Sequence, residues 1–515
     1  MIFRKLHFAL FFLSFSYCFA QQNIMISNVD FPNEPSICIN PNNTNQLIAG
    51  SNLNNVYKSN DSGATWTRNV LTSTYGVWGD PAIICDNNNN FYFFHLSNPP
   101  TGGSWIDRIV CQKTTNLGTN WSTGTFMGLN GSKEQDKQWA VFDNNTNNIY
   151  VTWTEFDSYG SSNPADKSNI RFSKSSDFGA TWSTALKINS VDGNCIDQSD
   201  TVEGAVPTVG PNGELYVSWS GPNGLVFKKS LNQGVTWSAT ETTISAINRW
   251  DYVIPGLDRS NGLPITACDR SGTANNGNIY VNWSDQRNGV NDTDIFISKS
   301  TNGGTSWSAP LKVNNDGVGK HQFLSWMTID QTTGYIYIVF YDRRNYTDDT
   351  TDVYLAHSTD GGVTFTNTKI STNSFLPVNG PFFGDYTNIT AHNGVIRPIW
   401  ARMDNGDTSV WTALISQSSL GNEEYDKDDI DENVITNYPN PASEDSYFSF
   451  KLYKDSKVSI KIFDLSGKEV YEVTNKDFSM GKHVLSMKSK LLTKGEYIYT
   501  IKSDYYTKSK KMIIN

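Results

Sequence analysis

Short apolar segments alternate with polar turns along most of the chain, and this alternation predicts strands rather than helices. In each unit an apolar strand ends at Asp or Asn, a turn follows, and a second strand ends in an aromatic residue, as in Asp143 to Trp153 and Asp330 to Phe340. A third strand, another turn and a fourth strand complete the unit. We therefore predict four-stranded antiparallel units and an all-β fold.

One eight-residue motif recurs in the turn between the third and fourth strands. Its pattern is Ser-x-Asp/Asn-x-Gly-x-Thr-Trp, first seen from Ser59 to Trp66, and the later copies follow at intervals of 55, 61, 55, 70 and 58 residues. Gly supplies a backbone shape that other residues avoid, and the Asp or Asn side chain can bond to backbone groups of its own turn. Repetition at this period predicts a repeat architecture.

The motif resembles the Asp box of sialidases and related β-propellers. This resemblance implies that the four-stranded units are the blades of a propeller. It says little about function, because the box is structural in that superfamily and a fold does not determine an activity.

Counting the second strands predicts seven blades. The last unit has no motif after its third strand, Val410 to Ile415, which would leave an open sheet edge. Ile24 to Ser27 precede the first unit and are strand-like, so we predict that they form the outer strand of the seventh blade. A six-bladed ring is the alternative.

The first twenty residues have the features of a secretory signal peptide. Arg4 and Lys5 precede an apolar stretch from Phe8 to Phe15, and a plausible cleavage site follows Ala20. The apolar stretch is too short to predict a transmembrane span, and an N-terminal anchor is the alternative. The propeller is then predicted over 21–420, followed by an acidic linker at 421–432 that holds one Lys and seven acids.

Residues 433–515 form a different predicted domain, a small β-sandwich. Asn437 to Ala442, Phe463 to Lys468 and Gly495 to Tyr497 resemble the C-terminal sorting domain of the Bacteroidetes type IX secretion system, the Por secretion tail. The resemblance implies Sec-dependent export, the type IX machinery as a partner, and release or surface attachment. A carbohydrate-binding sandwich is the alternative.

Composition excludes several classes of function. The net charge is −10, and no basic face for nucleic acid is expected. The five cysteines after the signal peptide are too sparse for a disulfide framework and lack zinc-ligand spacing. No cofactor is predicted, although the loop aspartates Asp292, Asp294, Asp348, Asp349 and Asp352 could hold a structural Ca²⁺ through oxygen ligands.

Propeller geometry indicates which residues share the functional face. The first strand of a blade starts, and the second strand ends, on the face opposite the motif turns. The strand starts on this face are Asp80, Asp136, Lys137, Glu203, His321, Gln322, Asp385 and Tyr386. The strand ends on it are His95, Glu155, Asp157, Asp285, Arg287, Asp342, Arg343, Arg344 and Arg402. We expect this mixture of carboxylates and arginines to form a pocket for a polar ligand.

The resemblance to sialidases implies three arginines on the sugar carboxylate, an acid–base Asp and a Tyr nucleophile. Asn33 stands where the first arginine belongs. We therefore predict a divergent glycoside hydrolase that acts on extracellular glycans or glycoproteins and is not a typical sialidase. Its catalytic candidates are Asp80, Asp136, Glu155, Asp342 and Tyr386, and its substrate-binding candidates are Arg287, Arg343, Arg344, Asp385 and Arg402. A non-catalytic surface propeller that binds glycans or proteins is the alternative.

Overall fold

The computed structural model describes residues 22–247, 249–420, 436–452, 455–504 and 507–515. The predicted signal peptide and acidic linker lie outside these residues. The chain divides into two compact units, Met1–Gln417 and Ser418–Asn515.

The first unit contains seven antiparallel sheets of four strands each. The first sheet consists of β2 (Ser36–Ile39), β3 (Leu47–Ser51), β4 (Asn55–Ser59) and β5 (Thr67–Val70). The second consists of β6 (Gly79–Cys85), β7 (Phe91–Leu96), β8 (Ile109–Thr114) and β9 (Thr125–Met127). The third consists of β10 (Glu134–Asp143), β11 (Asn148–Phe156), β12 (Ser168–Ser175) and β13 (Leu186–Lys187).

Three more sheets repeat this order along the chain. The fourth consists of β14 (Glu203–Val209), β15 (Leu215–Gly221), β16 (Gly224–Ser230) and β17 (Thr242–Ser245). The fifth consists of β20 (Ile265–Cys268), β21 (Ile279–Asp285), β22 (Asp294–Ser300) and β23 (Leu311–Lys312), and it follows a small hairpin of β18 (Asp251–Tyr252) and β19 (Ser260–Asn261). The sixth consists of β24 (Gln322–Asp330), β25 (Tyr335–Asp342), β26 (Asp352–Ser358) and β27 (Thr366–Lys369).

The seventh sheet joins the two ends of the unit. It consists of β28 (Asn388–His392), β29 (Val395–Asp404), β30 (Asp407–Ser416) and, as its outer strand, β1 (Gln22–Ser27). Ile24 pairs with Thr412 and Met25 with Trp411. The prediction that Ile24 to Ser27 form the outer strand of the last sheet is thus confirmed. The innermost strands contact one another in the closed ring order β2, β6, β10, β14, β20, β24, β28 and back to β2. The fold is therefore a β-propeller.

Apolar side chains between neighbouring sheets hold the ring together. Trp153, Trp219, Trp283 and Trp400 lie within the second strands of their sheets and are at most 2% exposed. Tyr150 and Phe172 of the third sheet pack with Val209 and Val217 of the fourth sheet in one buried cluster. Full burial of such a side chain contributes roughly 1.5–3 kcal/mol, so the interfaces between sheets stabilise the ring.

Each motif turn is stabilised by its own side chains. Ser59 Oγ accepts a hydrogen bond from Gly63 N at 2.9 Å, and the Asp61 carboxylate accepts from Thr65 N at 2.9 Å and Thr65 Oγ1 at 2.6 Å. Asp177 and Asp360 accept the equivalent bonds. Burial opposes ionisation of Asp360, but the bonds from Thr364 outweigh it and lower its pKa to about 2.

The helical turn α1 (Gln417–Leu420) spans the boundary between the two units. The second unit contains two sheets. One has β31 (Thr436–Tyr438), β32 (Asp445–Leu452) and β35 (Gly481–Lys488) in the order β31-β32-β35, and a 3-10 turn follows at Ser489–Leu491. The other has β33 (Ser456–Phe463), β34 (Glu469–Phe478), β36 (Gly495–Lys502) and β37 (Thr507–Ile514) in the order β34-β33-β36-β37. Phe448, Ile460 and Tyr499 are buried in one core between them.

Candidate functional site

A repeated backbone bulge shapes the face of the propeller opposite the motif turns. The innermost strands β6, β10, β14 and β24 shift register after their first residues. Inside these bulges, Asp80, Lys137, Gly204 and Leu324 have left-handed backbones, with φ of 53°, 50°, 73° and 49°. A left-handed conformation costs a non-glycine residue about 1–3 kcal/mol, so three of these residues carry strain.

Left-handed backbone conformations also occur just before two other innermost strands, at positions that we call strand entries together with the bulges above. Glu34 has φ of 49° just before β2, and Gly384 has φ of 105° before β28. A Cβ on Gly384 would lie 2.9 Å from Glu34 N and Glu34 Cγ, so only glycine fits this close approach. The strand entries thereby bring charged side chains together at the mouth of the central channel.

Asp385 is held by two cations at this mouth. Its carboxylate lies 2.7 Å from Lys137 Nζ and accepts from Arg259 Nε at 2.8 Å and Arg259 Nη2 at 2.5 Å. Lys137 and Asp385 are 6% and 4% exposed. Burial disfavours the Asp385 anion, but Lys137 and Arg259 outweigh burial and lower its pKa to about 2.

Glu34 links three of the strand entries. Its carboxylate accepts from Asp385 N at 3.1 Å and from the side-chain amide of Asn52. Asn52 Oδ1 in turn accepts from Asp80 N at 2.7 Å. Burial first, and then the nearby Asp80 and Asp385, raise the pKa of Glu34 well above its usual range.

Carboxyl groups outnumber cations in this cluster. Among the described residues, it contains two cations, Lys137 and Arg259, and six carboxyl groups, which belong to Glu34, Asp80, Asp136, Asp197, Glu203 and Asp385. Burial raises the pKa of Asp136 to about 7, with Lys137 opposing the shift and Asp80 and Asp197 adding to it. Burial and Asp197 raise the pKa of Glu203 well above its usual range, and neither of its carboxyl oxygens has a hydrogen-bond partner among the described residues. The cluster therefore holds protonated carboxyl groups near neutral pH.

Three aromatic rings narrow the channel beneath the cluster. Trp139 lies 4.2 Å from Trp326 and 5.3 Å from Tyr386, measured between ring centroids. The cavity left beside them is only about 20 Å³. Burial, followed by Asp80, Glu34, Asp385 and Asp136, raises the pKa of Tyr386 well above its usual range. Tyr386 is therefore a neutral phenol at physiological pH.

A cavity of about 600 Å³ opens above the cluster. The connection between β17 and β20, including the β18–β19 hairpin, forms one of its walls and carries Arg259. Lys137, Asp197 and Asp385 reach it from the cluster, and Asn261, Gln286 and Asn291 add uncharged polar groups. This volume suits a small polar ligand.

Four predicted site residues come together here, and six do not. Asp80, Asp136, Asp385 and Tyr386 belong to the cluster. Glu155 lies in an ion pair with Arg171 Nε at 3.2 Å, and Asp342 accepts from Arg344 Nε at 2.8 Å.

The predicted arginines each bind an acid close to them in sequence. Arg287 binds Asp285, Arg343 binds Asp349, Arg344 binds Asp342, and Arg402 binds Asp404. Arg343 also lies over the Phe323 ring at 5.2 Å, where burial lowers its pKa to about 10. The contacts of these residues stabilise the ends of their strands, and convergence of the arginines on one ligand stays a prediction.

The acidic cluster does not have the arrangement of a metal site. Among the described residues, no group of three or more His, Cys, Asp or Glu side chains could hold a metal ion. The loop aspartates considered for Ca²⁺ have protein partners. Asp292 accepts from Gly319 N at 2.8 Å, Asp294 pairs with Lys312 at 2.7 Å, and Asp352 pairs with Lys369 at 3.1 Å.

Three residues of the site were missing from the sequence-based prediction: Glu34, Asp197 and Arg259. The strand starts had placed Lys137 and Glu203 on this face without giving them a role. Glu34 occupies a strand entry equivalent to Asp80 and Asp136, so the repeat itself could have found it. Asp197 and Arg259 come from long connections between sheets. No local pattern in the sequence shows where those connections run.

Comparison with known proteins identifies the family of the C-terminal domain. Residues 436–515 match the family described as secretion system C-terminal sorting domain. The chain therefore carries a type IX sorting domain and is exported to the cell surface or the extracellular space. No curated protein matches the chain. No helix in the described ranges is long and apolar enough to cross a bilayer.

Several solved structures resemble the propeller. A Hadza microbial sialidase is 13% identical with a TM-score of 0.42, over 72% of this chain and 74% of that one. A PL25 ulvan lyase is 12% identical with a TM-score of 0.46, over 77% and 96%. The NanB sialidase from Streptococcus pneumoniae is 9% identical with a TM-score of 0.44, over 72% and 83%. The sheet topology described above establishes the propeller independently of these similarities.

The sorting domain provides a test of export. A chain that ends at Leu420 is expected to stay in the periplasm of the native host, because it retains the predicted signal peptide but lacks the sorting domain. Cell fractionation and immunoblotting against the propeller measure this. Wild-type amounts of the shortened chain on the surface or in the medium would contradict the assignment.

Proposed function

We propose that the channel mouth is an acid–base catalytic site for extracellular glycans and that the reaction is glycoside hydrolysis. The observation that carries the proposal is a buried carboxyl group that keeps its proton within a cluster of other carboxyl groups. The pKa of Asp136 is raised to about 7, whereas Lys137 and Arg259 hold Asp385 as an anion. A proton donor with a second carboxyl group near it is what acid–base cleavage of a glycosidic bond requires, and Asp80 is the candidate for that second group.

The roles follow from these environments. Asp136 is the proton donor, because it keeps its proton close to neutral pH. Asp385 is a positioning residue, since its carboxylate is fully engaged by Lys137 and Arg259. Asp80 is half-buried at the neighbouring strand entry and is the candidate base or nucleophile, and Tyr386 is a neutral hydrogen-bond donor to the sugar.

The site favours a neutral sugar over sialic acid. Both cations of the cluster already bind Asp385, and Asn33 donates its amide to Phe382 O at 3.2 Å. Arg249, which also lines the cavity, is paired with Asp251 at 2.8 Å. Among the described residues that line the cavity, no arginine is therefore left without an acid partner for a substrate carboxylate. The polar amides of the cavity instead match sugar hydroxyl groups.

Glycan binding without turnover is the second candidate function. The ion pairs of Asp385 with Lys137 and Arg259 favour binding without turnover, because they leave one carboxylate and both cations unable to take part in a reaction. The two candidates differ in whether Asp136 transfers a proton, and Asp136 is therefore the residue to change.

Asp136→Asn is expected to lower kcat/KM by about 10²- to 10⁴-fold, the usual contribution of a general acid. The wild-type rate should fall as pH rises through about 7, because the proton donor is lost. The measurement is the release of reducing ends from a panel of polysaccharides between pH 5 and 9, with an aryl sialoside as an expected poor substrate.

Glu155→Gln is the matched control, because it changes another buried carboxyl of the same sheet. This variant is expected to keep the fall in rate near pH 7. If the wild type releases no reducing ends from any glycan, the catalytic proposal fails. If Asp136→Asn keeps full activity, Asp136 is not the proton donor.

A further inference from the structure

Two tryptophans beside the site are exposed to solvent. Trp78 lies just before β6 and Trp105 lies between β7 and β8, on the same face as the carboxyl cluster. They are 37% and 40% exposed. Their ring centroids lie 5.8 Å apart and their planes meet at 89°, so the indoles form a right-angled corner.

The apolar residues next to the two tryptophans are buried. Leu96 and Ile106 are 3% and 1% exposed, and Arg108 is paired with Asp107 at 2.6 Å. A stable protein interface needs a large contiguous area. The corner therefore fits a ligand the size of one ring.

A sugar ring has the matching chemistry. One face of a pyranose presents C–H groups with partial positive charge, and its edges present hydroxyl groups. Indole faces carry negative potential, so they attract such C–H groups while they bury apolar surface. A second indole at a right angle gives the ring a side wall.

One residue connects the corner with the catalytic cluster. The Tyr159 ring lies 5.6 Å from Trp105 at 84°, and Tyr159 OH donates to Asp197 Oδ2 at 2.8 Å. Asp197 lines the large cavity and interacts with Asp136. The Tyr159 and Asp197 side chains therefore connect the corner with the edge of the cavity.

We propose that Trp78 and Trp105 form a distal sugar-binding subsite and that the ligand is a glycan chain of several residues. One sugar ring stacks in the corner, and the chain passes Tyr159 to reach the cavity at Asp197 and Lys137. The path of the chain rests on the proposed function. Binding in the corner does not, because stacking requires no cleavage.

Affinity gel electrophoresis of the full mature chain tests this subsite. The gels contain xylan, laminarin, galactomannan, pectic galactan or dextran. The wild type is expected to be retarded by at least one of these polysaccharides, and Trp105→Ala and Trp78→Ala are each expected to weaken the retardation about 10-fold. Leu231→Ala is the matched control, because Leu231 is 72% exposed in a motif turn on the opposite face.

Two further variants keep the result decisive. Trp105→Phe preserves an aromatic face and should keep part of the retardation, which a merely structural role of Trp105 would not predict. Val363→Ala, in an exposed motif turn on the opposite face, should be retarded like the wild type. Loss of retardation in Trp105→Ala without any cleavage by the wild type would support the subsite and contradict only the catalytic proposal.

The subsite is overturned by either of two results. One is a wild type that no gel retards. The other is equal retardation of the wild type, Trp78→Ala and Trp105→Ala wherever the wild type is retarded.

Discussion

Asp385→Asn is expected to destabilise the propeller by about 3–5 kcal/mol, because it leaves a buried cation without its partner. Lys137 is only 6% exposed and loses its counter-ion, whereas Arg259 is 46% exposed and can turn towards water. Urea unfolding followed by tryptophan fluorescence measures the loss. All 15 tryptophans precede residue 412, so this signal reports the propeller alone.

Asp192→Asn is the control, because the pair between Lys187 and Asp192 is about one-third exposed on both sides. Such a pair contributes about 0–1 kcal/mol. Adding Lys137→Met to Asp385→Asn should recover part of the lost stability, since the uncompensated cation is then removed. A loss of unfolding free energy below about 1 kcal/mol for Asp385→Asn would show that the ion pairs of Asp385 with Lys137 and Arg259 do not stabilise the ring.

The pH dependence of this effect has a defined sign. The pKa of Asp385 is depressed to about 2 in the folded protein, below its ordinary value near 4. Its contribution to stability is therefore complete above pH 4 and is lost as pH falls through 2. The wild type should lose more stability over this window than Asp385→Asn.

Deletion of residues 22–27 is expected to have the second large effect. It should lower the free energy of unfolding by at least about 3 kcal/mol, because it removes one buried isoleucine and the hydrogen bonds of the strand ladder. The deletion exposes the edge of β30, which β1 covers from Val410 to Leu414. It also removes Asn23, which bonds to Ile370 O at 2.8 Å and Thr372 N at 2.7 Å in the neighbouring blade.

Two point variants on β1 form a matched pair. Ile26 is 9% exposed and belongs to a core shared with the first sheet, whereas Met25 is 47% exposed. Ile26→Ser should lower the melting temperature clearly, and Met25→Ser should change it little. An unchanged melting curve for the deletion variant would contradict closure of the ring by β1.

The fold follows from the sequence because its signals are local and repeated. Each blade needs an apolar strand, a turn and an aromatic strand end, and all three lie within a few tens of residues. The closing strand β1 was also predictable, since the last unit lacks its fourth strand. The same logic of strand starts located Asp80, Asp136, Asp385 and Tyr386.

The site was less predictable because its partners are set by tertiary structure. Arg259 reaches Asp385 from the connection between β17 and β20, across 126 positions of sequence. In contrast, Arg287 and Arg344 each bind an aspartate two residues earlier. The arginines that a sequence comparison would assign to a ligand are thus paired with aspartates close to them in the chain.

The protonation state of Asp136 tests the central claim most directly. Difference infrared spectroscopy of the wild type against Asp136→Asn isolates the C=O band of this carboxylic acid. We predict that the band persists at pH 6 and disappears with a midpoint near 7, because burial and the neighbouring carboxyl groups hold the proton. A midpoint near 4 would show an ordinary ionised aspartate and would contradict a proton donor at the channel mouth.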